Sequence, residues 1–148
     1  MTKHTLPALL ALLAGCAGEP PDAEPLGDYT TWKRVDTYGN APGHGDTYRI
    51  IYINDIAAQY QVDGRPDHDE GAIIVKEVYD RAEGSAPAPG ELSVVEIMRR
   101  IGHDTSENEG WTFSAAATPT ADESVQTFCW RRCHQAAPFE GAWFDYSK

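Results

Sequence analysis

The chain has 148 residues, with 12 Lys and Arg against 23 Asp and Glu, which gives a formal net charge of −11. Such an acidic chain is poorly suited to bind nucleic acid or an anionic membrane surface through its charge. The acidic residues are dispersed along the sequence, so the simplest consequence of the charge is solubility. The length allows one folded domain with a modest core.

Residues 1–15 have the pattern of a secretory signal peptide. Lys3 supplies a basic start before the apolar run Leu6–Leu13, which is too short to span a bilayer as a helix. Small residues and then Cys16 follow this run, an arrangement that resembles the lipobox of bacterial lipoproteins. The resemblance implies that Cys16 is acylated, and Ala17 behind it favours a lipid anchor in the outer membrane, facing the periplasm. An ordinary signal peptide that contains a cysteine is the alternative.

Residues 16–27 predict a flexible tether, because Pro, Glu and Ala dominate this segment and apolar periodicity is missing. The folded domain is therefore expected over residues 28–148. Export would place Cys129 and Cys133 in an oxidising compartment, where a pair of thiols is either bridged or captured by a ligand.

Local composition predicts an α+β domain. Strands joined by short loops, with helices at both ends, indicate a small antiparallel sheet of about four to five strands. The C-terminal helix would carry a cluster of Cys and His. In chain order, the predicted elements are a short helix over 28–34 with Trp32 docked inward, a strand over 48–54, a helix over 56–60 capped by Asn54 and Asp55, strands over 72–79, 92–101 and 111–116, and a helix over 124–135.

The most informative motif is Cys129, three residues, Cys133 and then His134. It is one residue longer than the C-x-x-C-H signature, in which two thiols add to haem vinyl groups and the imidazole ligates iron. On a helix the two cysteine Cα atoms would be about 6 Å apart, near the upper limit for a disulfide. Haem attachment, a disulfide and a metal site therefore all stay open, although a second Cys and His pair that could complete a zinc site is missing.

Several stretches of the sequence, taken in order, resemble the cytochrome P460 family, which includes the beta-type cytochromes c-prime. The match in order and spacing covers most of residues 28–148. Family members normally carry two residues between the cysteines, whereas this chain carries three. The stretches that carry the resemblance are Trp32, the strand over 48–54, the segment 71–77, Trp111, the Cys and His motif, and Asp145 with Tyr146.

The resemblance implies haem c bound through thioethers to Cys129 and Cys133, with His134 as the proximal ligand of the haem iron. It also places Arg49 in the distal pocket, where a cation can hydrogen-bond a bound nitrogen ligand or oxyanion and stabilise developing negative charge. Lys76 matches the lysine that is cross-linked to the macrocycle in the hydroxylamine-oxidising members. Members without that cross-link bind small gases such as nitric oxide.

Each distal assignment has a structural alternative. Arg49 could instead pair with an acid at a sheet edge. Lys76 and Glu77 project to opposite faces of one strand, so either could point to solvent. His44 and His68 are isolated in the sequence and are predicted to be solvated.

Two functions are consistent with the sequence. The first is a lipid-anchored c-type haem protein that binds a small nitrogen species, hydroxylamine or nitric oxide, and as an oxidoreductase would oxidise or scavenge it. The second is a haem-free envelope binding lipoprotein on the same fold, closed by a disulfide. The sequence does not specify a redox partner. The family resemblance implies a homodimer packed through the sheet.

Overall fold

The computed structural model describes residues 25–62, 67–82, 87–102 and 108–144. The predicted signal peptide, Cys16 and most of the tether lie outside the described residues, as do Asp145 and Tyr146. Within the described part of the chain, no helix is both long enough and apolar enough to cross a membrane.

The domain is built on one six-stranded antiparallel sheet in which every strand pairs with its neighbours in the sequence. Its strands are β1 Lys33–Ala41, β2 Gly45–Ile53, β3 Ile73–Arg81, β4 Pro89–Arg100, β5 Trp111–Ala116 and β6 Ser124–Val125. The helical segments are short: a 3-10 turn Tyr29–Thr31, α1 Asp55–Val62, α2 Cys129–Arg132 and a second 3-10 turn His134–Ala136. The predicted antiparallel sheet is thus confirmed, but the domain is mostly β, and the predicted α+β arrangement with helices at both ends is wrong.

The front of the domain differs from the prediction of a helix over 28–34. Only Tyr29–Thr31 is helical, as a single 3-10 turn, and the Asp28 side chain makes no capping hydrogen bond to it. β1 begins at Lys33 and pairs along its whole length with β2. The backbone hydrogen bonds of this hairpin replace those that a helix would have made.

The back of the domain also differs, because the predicted continuous helix over 124–135 does not form. Ser124 and Val125 pair with β5 as β6, and the Gln126 amide donates to the carbonyl of Phe113 at 2.8 Å. The helix α2 is only four residues long and ends at Arg132, and its C-cap Cys133, with φ of −139° and ψ of −54°, leaves the helical region. The Cys and His cluster is therefore divided between α2, its C-cap and the 3-10 turn that follows.

Alternation of side chains gives the sheet two faces with separate cores. We call them the site face, which α1 and α2 cover, and the tyrosine face. On the site face lie Ile51, Ile53, Ile74, Met98, Trp111 and Phe113, which pack with Trp130 and Ala142. On the tyrosine face lie Tyr48, Ile50, Tyr52, Val75, Val95 and Ile97, which pack with Tyr29.

The register decides which charged residues share a face. Lys76 is directly opposite Ile51 on β2 and Glu96 on β4, so both charged side chains project from the site face. Glu77 projects from the tyrosine face, where it is buried and accepts hydrogen bonds from Tyr29 at 2.7 Å and Tyr79 at 2.8 Å.

Candidate haem site

A cavity of about 320 Å³ lies on the site face, between the sheet and the C-terminal segment. Most of its surface is apolar, and several charged or polar side chains interrupt that surface. The apolar part includes Ile51, Ile74, Val94, Met98 and Phe113, with Trp143 and Phe144 from the C-terminal segment. The ionisable side chains in the lining are Lys76, Glu96, Cys129 and His134, and Ser114 and Gln126 add neutral polar groups. Three predicted site residues therefore meet at one apolar space.

One ring nitrogen of His134 is hydrogen-bonded to the backbone. Its Nδ1 lies 2.6 Å from the carbonyl oxygen of Gly141, and its ring centre is 4.8 Å from that of Phe113. A carbonyl only accepts hydrogen bonds, so Nδ1 carries the proton and Nε2 keeps its lone pair. Burial lowers the pKa of His134 below its ordinary value, which favours the neutral imidazole. A neutral imidazole with this tautomer is a ready ligand for a metal.

The two cysteines occupy different positions. Cys129 is half-buried in α2 and lines the cavity, and burial raises the pKa of its thiol, which favours the protonated form. Cys133 is not among the residues that line the cavity. Its Sγ lies beside the turn between β1 and β2, where a Cβ placed on Gly43 would be 3.8 Å away. Both are free cysteines in the structure.

Lys76 is a positioned cation in the cavity wall. Its Nζ lies 2.6 Å from Glu96 Oε2 and 2.8 Å from His44 Nε2. An ammonium only donates, so His44 accepts through Nε2 and is neutral. Burial, followed by the charge of Lys76, lowers the pKa of His44. The alternative in which Lys76 points to solvent is therefore wrong, since its side chain is only 18% exposed.

Arg49 shares the site face with Ile51 but is not among the residues that line the cavity. It is buried, and its Nη1 donates to the carbonyl of Gly39 at 2.9 Å and to Thr47 Oγ1 at 2.8 Å. Burial lowers the pKa of Arg49, and its charge in turn lowers the pKa of His44. The distal role of Arg49 remains a prediction, and the structure places the residue outside the cavity wall, with its charge acting on His44.

The comparison with known families agrees with this geometry. The model of the cytochrome P460 family matches residues 26–142, a span that contains the whole sheet and the Cys and His motif. The chain belongs to the cytochrome P460 family. Membership implies a haem cofactor. A search of the curated proteins finds no match to this sequence.

The residues around the cytochrome P460 cavity suit a haem in their chemistry. The apolar walls can take a macrocycle, the neutral imidazole can bind iron, and the Cys129 thiol can add to a vinyl group. Among the residues that the structure describes, no group of three or more His, Cys, Asp and Glu could hold a bare metal ion. The candidate donors at the cavity are the His134 imidazole and the Cys129 thiol.

A larger and more open groove of about 900 Å³ lies elsewhere on this cytochrome P460 domain. Arg99 is part of its lining, and both of its terminal nitrogens are 2.6 Å from the Glu123 carboxylate, so the charge is neutralised. The described residues of this groove include neither a cysteine nor a histidine. The smaller cavity is the candidate haem site because the imidazole and the thiol are there.

Sequence reasoning missed His44 and Glu96 at this site, and it also missed His68 and Glu140, whose side chains contact each other at 2.7 Å. His44 and His68 were expected to be solvated, but His44 is half-buried against Lys76 and His68 is completely buried. Positive φ angles at Gly43 and Gly45 mark the tight turn that carries His44, and the two glycines were a signal for that turn. Glu96 becomes visible only once the β3–β4 register is known.

Proposed function

We propose that this member of the cytochrome P460 family is a c-type haem protein that binds a small nitrogen species, hydroxylamine or nitric oxide. The observation that carries the proposal is the neutral His134 imidazole beside the Cys129 thiol at one apolar cavity. When bound, haem would supply an iron centre that can hold such a ligand and exchange electrons with it. Oxidation or scavenging of the ligand by the protein is part of this proposal.

Three residues, His134, Cys129 and Cys133, would hold the cofactor. His134 would bind iron through Nε2, while the Gly141 carbonyl keeps the imidazole in the required tautomer. Cys129 and Cys133 would each add their S–H across a vinyl double bond. The three-residue spacing requires the helix to loosen before the second thiol, and α2 does end at Arg132, directly before Cys133. This local end of the helix supports attachment despite the longer motif.

Lys76 would act on the ligand side. Two of its three N–H groups are directed at Glu96 and His44, so the third can donate to a ligand in the cavity. Such a donor would stabilise negative charge on a bound nitrogen or oxygen atom. Arg49 would act indirectly, because its charge lowers the pKa of His44.

The test is covalent haem attachment in protein made with a c-type maturation system. We expect a positive haem stain under denaturing conditions and a pyridine haemochrome spectrum of the c type. Cys129→Ser and Cys133→Ser should each lose one thioether, which shifts the haemochrome maximum. In the native protein, His134→Ala should change the absorption spectrum of the haem because it removes the iron ligand, whereas Gln135→Ala, an exposed neighbour, should leave it unchanged.

A colourless parent protein would contradict the haem proposal. If its mass were also lower by two hydrogen atoms than that of the reduced chain, a disulfide between Cys129 and Cys133 would be established. The protein would then be the haem-free envelope lipoprotein on the same fold.

We further propose that the protein is anchored by lipid at Cys16 to the outer membrane, facing the periplasm, and forms a homodimer through its sheet. The sequence pattern before Cys16 and the family resemblance support these two statements. Mass spectrometry of the mature N-terminus and membrane fractionation of a Cys16→Ser variant test the anchor. Sedimentation of the detergent-solubilised protein tests the dimer, and a monomer at all concentrations would rule it out.

A further inference from the structure

His68 is the most buried of the polar and charged side chains that the structure describes, and it contacts the carboxylate of Glu140. Its Nδ1 lies 2.7 Å from Glu140 Oε2, and its backbone N–H donates to the same oxygen at 2.6 Å. The ring is stacked on Tyr60, with centres 3.9 Å apart and planes 16° apart, and its exposed fraction is 0%. The imidazole therefore has little freedom to move away from Glu140.

Arg100 holds the other oxygen of the same carboxylate. Its Nη2 lies 3.2 Å from Glu140 Oε1, and both side chains are largely buried, with 4% and 12% exposed. The guanidinium lies over the Trp111 ring, 5.6 Å from the ring centre, and also donates to the carbonyl of Glu109. Glu140 is thus clamped between the segment before β3 and the end of β4.

The clamped residue lies in a tight turn. Phe139 and Ala142 exchange two backbone hydrogen bonds of 3.1 Å, and the two residues between them have φ angles of +47° at Glu140 and +85° at Gly141. Positive φ at both central positions is the mark of a type I′ turn. A residue other than Gly is strained at such an angle, so the contacts with His68 and Arg100 offset a backbone cost at Glu140.

The same turn holds the His134 imidazole. The carbonyl of Gly141, one residue beyond the clamp, accepts the hydrogen bond from His134 Nδ1. A two-residue turn closed by reciprocal hydrogen bonds moves as one body. A shift of the Glu140 side chain would therefore also shift the carbonyl that orients His134.

We propose that Glu140, clamped by His68 and Arg100, is a positioning residue for His134: it sets the place of the Gly141 carbonyl, and thereby the orientation and donor strength of the imidazole. A carbonyl at the second nitrogen of a metal-bound imidazole raises the basicity of the ligand, so the clamp would tune the bond to iron. This inference rests on the proposed function only in taking His134 as the iron ligand.

The first experiment uses the full-length chain purified without haem, so it is independent of haem attachment. In the parent, nitrogen NMR should detect the His134 Nδ1–H as a slowly exchanging proton. Glu140→Gln removes the charge that Arg100 and His68 hold. We expect solvent exchange of that proton to become about tenfold faster, the factor that loss of one typical hydrogen bond brings. The matched control is Glu123→Gln, which removes the carboxylate of the Arg99 ion pair instead and should leave the proton unchanged.

The second experiment uses the haem-loaded protein. The iron–histidine stretching frequency of the ferrous form should fall in Glu140→Gln and stay at the parent value in Glu123→Gln. Should Glu140→Gln fail to fold, Glu140→Asp replaces it, because Asp tolerates positive φ and is shorter by one methylene. Unchanged exchange and an unchanged stretching frequency in a folded Glu140 variant would overturn the inference. A parent without haem would defeat the proposed function, while the exchange measurement would still decide the role of the clamp.

Discussion

The ammonium of Lys76 and the carboxylate of Glu96 are 2.6 Å apart, directly across the β3–β4 pair, in the wall of the cavity that also contains His134. Antiparallel partners of this kind share one face of the sheet, so the register alone brings the two charges together. The two side chains are 18% and 33% exposed, so water screens the pair only in part. The ion pair thus forms a charged wall in an otherwise apolar space.

The first prediction concerns ligand binding. In the haem-loaded protein, Lys76→Met should weaken the binding of nitric oxide about tenfold, because it removes one charge-assisted donor from the cavity. Arg49→Met should have a smaller effect, since Arg49 does not line the cavity. The dissociation constant of each variant can be measured from the absorption spectrum. An equal or greater loss of affinity in Arg49→Met would show that Arg49 has the distal role.

The second prediction concerns the pKa of His44. Burial and then the charge of Lys76 lower this pKa, while the charge of Glu96 raises it. Lys76→Met should therefore raise the pKa of His44 towards its ordinary value of 6.5, and Glu96→Gln should lower it further. Proton NMR titration of the haem-free protein measures both. If the pKa of His44 moved in the same direction in both variants, the opposing effects of Lys76 and Glu96 would be contradicted.

The third prediction is the pH dependence of stability in the haem-free protein. His44 and His134 have lowered pKa values in the folded state, so the unfolded chain binds more protons at mildly acidic pH. Their contribution to stability is fully present above pH 6.5 and is lost as the pH falls through the folded pKa values. Urea unfolding between pH 7.5 and about pH 5 should show this loss. His44→Gln should reduce this loss of stability. If the dependence of the free energy of unfolding on pH were unchanged in this variant, the lowered pKa of His44 would be contradicted.

The fourth prediction tests the start of α1. Asn54 Oδ1 accepts from the amides of Ala57 at 2.9 Å and Ile73 at 3.1 Å, and its Nδ2 donates to the carbonyl of Gly71 at 2.8 Å. Asn54→Ala should lower the free energy of unfolding by about 2 kcal/mol, since it removes a helix cap and leaves other groups unsatisfied. Gln59→Ala, an exposed change in α1, should alter it by less than about 0.5 kcal/mol. Urea denaturation measures both values, and similar losses would refute the capping role.

The fifth prediction tests the opposite face of the sheet. Tyr29→Phe removes the hydroxyl that donates to the buried Glu77, and we expect a loss of about 2 kcal/mol because the acceptor is a carboxylate. Burial and this hydrogen bond raise the pKa of Tyr29, so the phenol donates throughout the neutral range. Tyr38→Phe, on a side chain that is 57% exposed, is the control. Equal effects of Tyr29→Phe and Tyr38→Phe on thermal unfolding would show that the hydrogen bond from Tyr29 to Glu77 does not stabilise the fold.

Much of the sheet could be predicted because local composition is informative there. The strands predicted over 48–54, 72–79, 92–101 and 111–116 correspond to β2, β3, β4 and β5, and the predicted helix over 56–60 corresponds to α1. Their β-branched and aromatic residues are buried on both faces, so each segment has a strong preference of its own. β1 was not predicted, because it is a partly exposed edge strand whose polar residues resemble those of a loop. β6 has only two residues and exists through its pairing with β5.

The C-terminal segment shows why a local pattern can mislead. Its residues suit a helix, but pairing with β5 takes the first of them, and the chain leaves helical geometry at Cys133. The first departure arises from pairing with β5, a strand that lies outside the segment itself. A reading by local preference cannot include such contacts.

The sequence by itself determined the acidic character, the family resemblance and the chemical types that define the site, because a thiol or an imidazole keeps its chemistry wherever the chain places it. Only the tertiary structure decided which partners these groups have. Strand register set Glu96 against Lys76, the hairpin turn brought His44 to the same ammonium, and the turn at Glu140 and Gly141 fixed His134. Hydrogen bonds and ion pairs act over a few ångströms in space, and spacing along the chain does not measure that distance.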